Sequence, residues 1–365
     1  MELREIIRSL QQLAPPDYQE SYDNAGLITG HPSWTCKGIL VALDAIEPVI
    51  DEAISRGCNL VVAHHPILFR GLKKITGSNY VERTIIKAIQ HDIAIYAIHT
   101  NLDNVQPGVS GKMAAMLGLQ KVQVLDQKRG VLKKLYTFVP MEQAPGVRDA
   151  LFSAGAGHIG NYSECSFNVA GEGTFRPGEH TDPFVGETGR RHVEKEIRME
   201  VIFPAFLEKA VVDALLRSHP YEEVAYDIIS LDNAHQGVGS GVAGELPETL
   251  SETDWLARLK DVFRVSVIRH TSLSGRGIRK VALCGGAGSF LISKALDIGA
   301  DAFVTADLKY HEFFDADGRI LIADIGHFES EQFTIDLLHE YLVQKFTNFA
   351  VLKTSLNTNP VNYYF

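Results

Sequence analysis

The run Leu60-Val61-Val62-Ala63-His64-His65-Pro66 decides the reading of this chain. Its four apolar residues make a short strand, buried on both faces. The strand stops at two histidines, and Pro66 favours an extended or turning exit. Before it, Glu47 to Arg56 has helical spacing, with Gly57 at the C-cap position. Gly38 to Leu43 is another apolar strand. Further out, Leu3, Ile6, Ile7, Leu10 and Leu13 mark a helix ended by Pro15-Pro16. After it, a helix from about Tyr80 to Gln90 leads to the strand Ile93 to Ile98. Strands alternating with helices predict a mainly parallel sheet covered on both faces.

The pattern changes near Asp126-Gln127-Lys128-Arg129-Gly130. Leu132 to Val139 reads as a strand and Gly146 to Ala154 as a helix. Strand-like pieces follow around Cys165 to Val169, inside a Gly-rich stretch from Gly155 to Gly189 that is long enough to require hairpin strands. Glu196 to Phe203, Phe206 to Ser218 and Val224 to Leu231 read as strand, helix and strand. The order β-α-β-β-α-β is the ferredoxin-like split unit. Beyond Asp232 the first pattern returns: strand Val281 to Cys284, helix Ser289 to Ile298, strands at Ala302 to Thr305 and Ile320 to Ala323, and one long helix from about Glu329 to Lys345. The fold class expected is therefore α/β, with two related segments, 1–127 and 233–365, forming one unit. An inserted ferredoxin-like α+β domain, 128–232, interrupts them. The relation between the outer segments rests on Ala53 to His64 aligning with Ala295 to Ala306. It also rests on His99 and His327, each followed four residues later by an acid.

With 45% hydrophobic and 22% charged residues, the 365-residue chain has ordinary globular composition, enough for two or three cores. A net charge of −10 argues against nucleic-acid binding by general electrostatics. No apolar run approaches the ~18 residues that would span a bilayer. The N-terminus lacks a signal-peptide apolar region, and the four cysteines, Cys36, Cys58, Cys165 and Cys284, form no CxxC pair. Reduced thiols and a cytoplasmic location are expected.

Histidine is the unusual component, with 14 copies, several at strand ends. His64 and His65 leave a strand in adjacent positions, so they point to different sides unless the chain turns, which suits two ions better than one. His327 and Glu331 lie one turn apart at a helix start, a ligand pair for zinc, iron or manganese. Asp103, four residues after His99, has two carboxylate oxygens with which to bridge cations. Each motif alone has an ordinary structural explanation, but together they point to a dinuclear metal site. His99 is expected to support a ligand rather than bind. The turn Cys284-Gly285-Gly286-Ala287-Gly288-Ser289 offers backbone N–H groups to a phosphate through Gly285, Gly286 and Gly288, although a tight turn explains it equally well. Lys309 and His311, after the next strand, are candidates for proton transfer or substrate contact against a default of solvated loop. Asp23-Asn24-Ala25-Gly26-Leu27 reads as a turn.

Asp23 to Leu27, Ala63-His64-His65-Pro66, His99-Thr100-Asn101-Leu102-Asp103 and Gly326-His327-Phe328-Glu329-Ser330-Glu331 together resemble the dinuclear-metal, hexameric Nif-three-like family, also called the GTP cyclohydrolase type 2 homologue family. The resemblance spans essentially the whole chain. It implies that His64, His65, Asp103, His327 and Glu331 are the metal ligands and that the protein forms a homohexamer. Gly160 to Phe167 and His219-Pro220-Tyr221-Glu222-Glu223-Val224 are similar to the PII- and CutA-like insert of longer bacterial members. The expected cofactor is a pair of divalent ions, zinc first, with iron, manganese or cobalt as alternatives. The expected function is metal-dependent hydrolysis of a nucleotide-like, phosphate-bearing small molecule. A non-enzymatic metal or ligand sensor is the alternative.

Overall fold

A computed structural model describes residues 1–364. The chain divides into two compact units, one built from Met1–Asp126 with Gly237–Phe365 and the other from Gln127–Gln236.

The first unit contains two sheets. One has the strand order Gly26–Thr29, Ala94–Ala97, Leu60–His65, Ile39–Asp44, Val351–Lys353. All neighbours in it are parallel except the first pair. The other has the order Arg269–His270, Leu321–Asp324, Ala302–Ala306, Ile278–Ala287, Gly239–Leu250, Gln120–Gln127. Its three strands Leu321–Asp324, Ala302–Ala306 and Ile278–Ala287 are parallel, and Arg269–His270 is an antiparallel edge. Counted from that edge, the two sheets use the same order: antiparallel strand, then third, second and first parallel strand.

The central strands are sealed because every residue faces apolar cover. Leu60, Val61, Val62 and Ala63 have no exposed surface. On one face Val61 and Ala63 join Leu40, Val49, Ile50, Ile85 and Ala88, from the neighbouring strand and the helices Glu47–Ser55 and Tyr80–Gln90. Fully burying each of the valine, leucine and isoleucine side chains is worth ~1.5–3 kcal/mol. Asn79 caps the second of these helices by accepting from the Glu82 backbone N–H at 3.0 Å. In the second sheet Val281, Leu283, Ala302 and Val304 pack under Trp255, Leu259 and Phe263 of the helix Glu252–Phe263.

The expected long helix 329–345 is instead two, His327–Glu331 and Thr334–Lys345. The break frees the first piece to follow the site. The Gln332 side chain at the joint donates to the Phe263 carbonyl at 3.1 Å. Strand Gly26–Thr29, helix Val109–Leu117, strand Gly239–Leu250 and helix Glu252–Phe263 had no counterpart in the sequence reading.

The second unit runs strand Leu132–Pro140, helix Ala144–Ser153, strands Phe167–Phe175 and His192–Pro204, helix Glu208–Ser218, strand Tyr226–Leu231. Its sheet has the order Phe167–Phe175, His192–Pro204, Leu132–Pro140, Tyr226–Leu231, all antiparallel. Alternate residues Leu135, Val139, Met199, Val201 and Phe203 face Val147, Leu151, Val211 and Leu215 of the two helices. Among the described residues, no helix is long and apolar enough to cross a membrane.

Candidate metal centre

The parallel strands deliver their C-terminal ends to one place, where loops of α/β sheets carry sites. His64 and His65 end Leu60–His65, and their rings lie 4.9 Å apart between centroids. His99 precedes the short helical turn Thr100–Asp103 that carries Asp103. His327 and Glu331 open and close the one-turn helix after the second sheet's strand Leu321–Asp324. The ligand atoms fall into three overlapping groups, each within 4.8 Å: His64, His65 and His99; His65, His327 and Glu331; His64, Asp103 and Glu331.

Each imidazole is oriented by a bond from its Nδ1. His64 Nδ1 donates to the Ile98 carbonyl at 2.8 Å. His65 Nδ1 donates to Asp44 at 2.7 Å, His99 Nδ1 to Asp23 at 2.8 Å, and His327 Nδ1 to Asp307 at 2.6 Å. With Nδ1 as donor, the Nε2 lone pair of the neutral ring is left for the interior, the tautomer that a metal requires. Glu331 Oε2 is the hub, 2.9 Å from His65 Nε2, 3.1 Å from His327 Nε2 and 3.9 Å from His64 Nε2.

The site fits a cation on its own evidence. His64 Nε2 is buried without a hydrogen-bond partner, and so is Asp103 Oδ1, 3.6 Å away. Two buried acceptor atoms facing each other are costly unless positive charge sits between them. Where protons must serve instead, the titrations are displaced. Burial pulls the His65 and His327 imidazoles down, but Asp44 and Glu331 raise the first to about 9, and Asp307 and Glu331 raise the second to about 11. Burial and the neighbouring Glu331 carboxylate push Asp103 up to about 7. Burial works against ionised Glu331, but His327, His64 and His65 hold its carboxyl well below the usual range.

The expected ligands His64, His65, Asp103, His327 and Glu331 are thus brought together. His99 lies beside them, its ring grouped with those of His64 and His65. Asp103 falls in one group with Glu331, whereas Glu331 joins two. The glycines do not present a free phosphate cradle. Gly285 and Gly286 lie inside strand Ile278–Ala287, and their N–H groups donate to Ser110 Oγ at 3.2 Å and Ser330 Oγ at 2.9 Å. Gly286, at φ +62°, makes room for the hub: a Cβ there would stand 2.3 Å from Glu331 Oε1. A Cβ at Gly288 would meet Thr305 Oγ1 at 2.4 Å. Lys309 sits exposed just before, and His311 exposed within, the 3-10 segment Tyr310–Ala316 that follows the Ala302–Ala306 strand. His311 contacts Tyr310 and Phe314 there, and neither residue has a described bond to the histidine–carboxylate cluster.

Sequence reasoning missed the orienting carboxylates Asp23, Asp44 and Asp307. A signal was present, since Asp44 ends one strand and Asp307 follows another. Asp307 adopts φ +57°, a left-handed conformation that Asp tolerates. Asn tolerates it too, so Asp307→Asn should fold and keep the ring in place while losing the carboxylate. Its metal affinity is expected to fall ~10–100-fold, as for other outer partners of metal-bound histidines. Competition against a chromogenic chelator measures it.

The family model for Duf34/NIF3 (NGG1p interacting factor 3) matches residues 1–360. A Bacillus subtilis protein named GTP cyclohydrolase 1 type 2 homolog is 38% identical, over 99% of this chain and 98% of its own. One of the same name from Halalkalibacterium halodurans is 40% identical over 98% of both chains. The crystal structure of a Bacillus cereus protein related to NIF3 aligns with TM-score 0.88 and 37% identity, covering 100% of this chain and 99% of that one. Full-length agreement in sequence and fold means that this chain belongs to the Duf34/NIF3 family.

Proposed function

We propose that the protein binds two divalent cations at this cluster and hydrolyses a nucleotide-like small molecule. The observation that carries the reading is the pair of buried, unpartnered acceptors, His64 Nε2 and Asp103 Oδ1. His65, His327 and Glu331 would hold one ion, and His64, Asp103 and Glu331 the other, with Glu331 common to both and His99 beside them. Zinc is the first candidate for this nitrogen and oxygen donor set, with iron, manganese or cobalt next. When bound, such a pair supplies Lewis-acid polarisation of water and of a substrate oxygen. The chain's own part is orientation. Asp23, Asp44 and Asp307 hold three rings in one tautomer, and Thr358 donates to the second oxygen of Asp44.

The relatives' name makes GTP the first compound to try. Metal-loaded protein should open or hydrolyse GTP or another cyclic-amide nucleotide, and His65→Ala should abolish the turnover. A broad screen without turnover, with metal bound and His65→Ala indistinguishable from wild type, would sink the hydrolase and leave the metal-sensing alternative. We read the second unit as a ferredoxin-like insert, on its element order and its 2-3-1-4 strand order. The homohexamer implied by the family resemblance is tested by light scattering.

A further inference from the structure

The sheet of the second unit has one face covered by helices and a second face on which Glu196 is buried. Glu196 is only 7% exposed and lines a cavity of about 640 Å³, a size suited to a small organic ligand. The walls are largely apolar and include Phe175, Phe184 and Tyr221. The Phe175 and Tyr221 rings lie 5.9 Å apart and the Phe184 and Tyr221 rings 6.3 Å. Tyr221 is fixed from below, since its backbone N–H donates to His219 Nδ1 at 3.1 Å and His219 Nε2 donates to the Phe138 carbonyl at 2.9 Å. The Tyr221 hydroxyl donates to Glu196 Oε1 at 2.9 Å.

The other oxygen, Oε2, has no described partner. It occupies space that only Gly173 leaves open, for a Cβ there would stand 2.1 Å away. Among the described residues no Lys, Arg or His comes within ion-pair distance of Glu196; Arg198, on the same face, is turned to Glu200 at 3.2 Å and to the Tyr136 ring. Glu196 is mostly buried as a residue, yet it lines a cavity with aromatic walls and keeps one oxygen without a described protein partner, which suits a donor with a flat apolar body.

We infer that this cavity is a ligand site for a planar nitrogen heterocycle with adjacent N–H donors, of which the guanine base is the type. Two such donors reach Oε2 and the remaining lone pair of Oε1, while the ring lies against Tyr221 and its aromatic neighbours. The site is separate from the metal cluster and takes no residue from it.

Guanosine titrated into the full-length protein by calorimetry tests the inference. Binding is expected at micromolar to millimolar concentrations, weaker for inosine, which lacks the exocyclic amine, and absent for uridine. Glu196→Gln should weaken guanosine at least tenfold, since the amide puts an N–H or a poorer acceptor where the carboxylate stood. Phe184→Ala, on a half-exposed loop, should weaken it several-fold and keeps the test readable if the Glu196 variant does not fold. Glu196→Gln should leave the metal content of the protein unchanged, which separates this binding from the metal cluster. No guanosine binding, or binding in the Glu196 and Phe184 variants equal to that of the wild type, would overturn the inference. Glu196-dependent binding of benzylamine in place of guanosine would overturn the heterocycle and leave a simple amine site.

Discussion

Glu331→Ala is expected to strip the protein of most of its metal, whereas Glu329→Ala leaves the content near wild type. The two positions are two residues apart on one helical turn and face different surroundings. Glu331 Oε2 touches the Nε2 atoms of His65 and His327 and lies within 3.9 Å of His64. Its removal takes a charge from both ligand groups at once. Glu329 instead accepts from the Asn359 amide at 3.0 Å, away from the imidazoles. Loss of an outer partner costs ~10–100-fold in metal affinity, and loss of a shared ligand should exceed that. Elemental analysis of each variant, purified without added metal, reads the difference. Equal metal in the two variants would remove Glu331 from the centre.

The second large effect is on pH, and it has opposite signs with and without metal. In the metal-free protein His65 and His327 are held protonated, with pKa values raised to about 9 and about 11 by their carboxylate partners. An imidazole whose folded value is raised contributes stability that is complete below its unfolded value near 6.5 and is lost as pH climbs through the folded value. Asp103, raised to about 7 by burial and Glu331, adds to the trend: its ionisation above pH 4 weakens the fold up to about 7. Metal-free protein should therefore melt at progressively lower temperature from about pH 6 upward. Metal binding has to displace those protons, so apparent affinity should rise with pH, by about tenfold per unit for each proton released. Paired melting curves across pH 5–10, with and without a saturating divalent ion, check both signs. Metal-free protein that grows more stable over that interval would contradict the protonated pair.

The strand Leu60–His65 was legible because apolar run, helix-capping glycine and proline exit agree at one locus. The cluster was legible because His64 and His65 end a strand and Asp103, His327 and Glu331 each follow one closely. Nothing in the spacing of His99 reveals that the Ala94–Ala97 strand lies next to Leu60–His65, which brings His99 against His64 and His65. Gly285 and Gly286 left two readings open for a similar reason. Glycine in a strand–helix junction signals either an anion cradle or close packing, and only the positions of Ser110, Ser330 and Glu331 show that packing uses them. The broken helix at Gln332 and Phe333 carries no glycine or proline, so periodicity alone ran through it. Strand Gly239–Leu250 was missed because its many small and polar residues, Gly239, Ser240, Gly241 and Gly244 among them, imitate a loop.

Anomalous diffraction at a metal edge, from crystals of the full chain loaded with zinc, tests the two-ion centre most directly. Two peaks ~3.5–4 Å apart are expected, one facing His65, His327 and Glu331 and the other facing His64, Asp103 and Glu331. A single peak, or peaks away from the Nε2 atoms of these histidines, would contradict it.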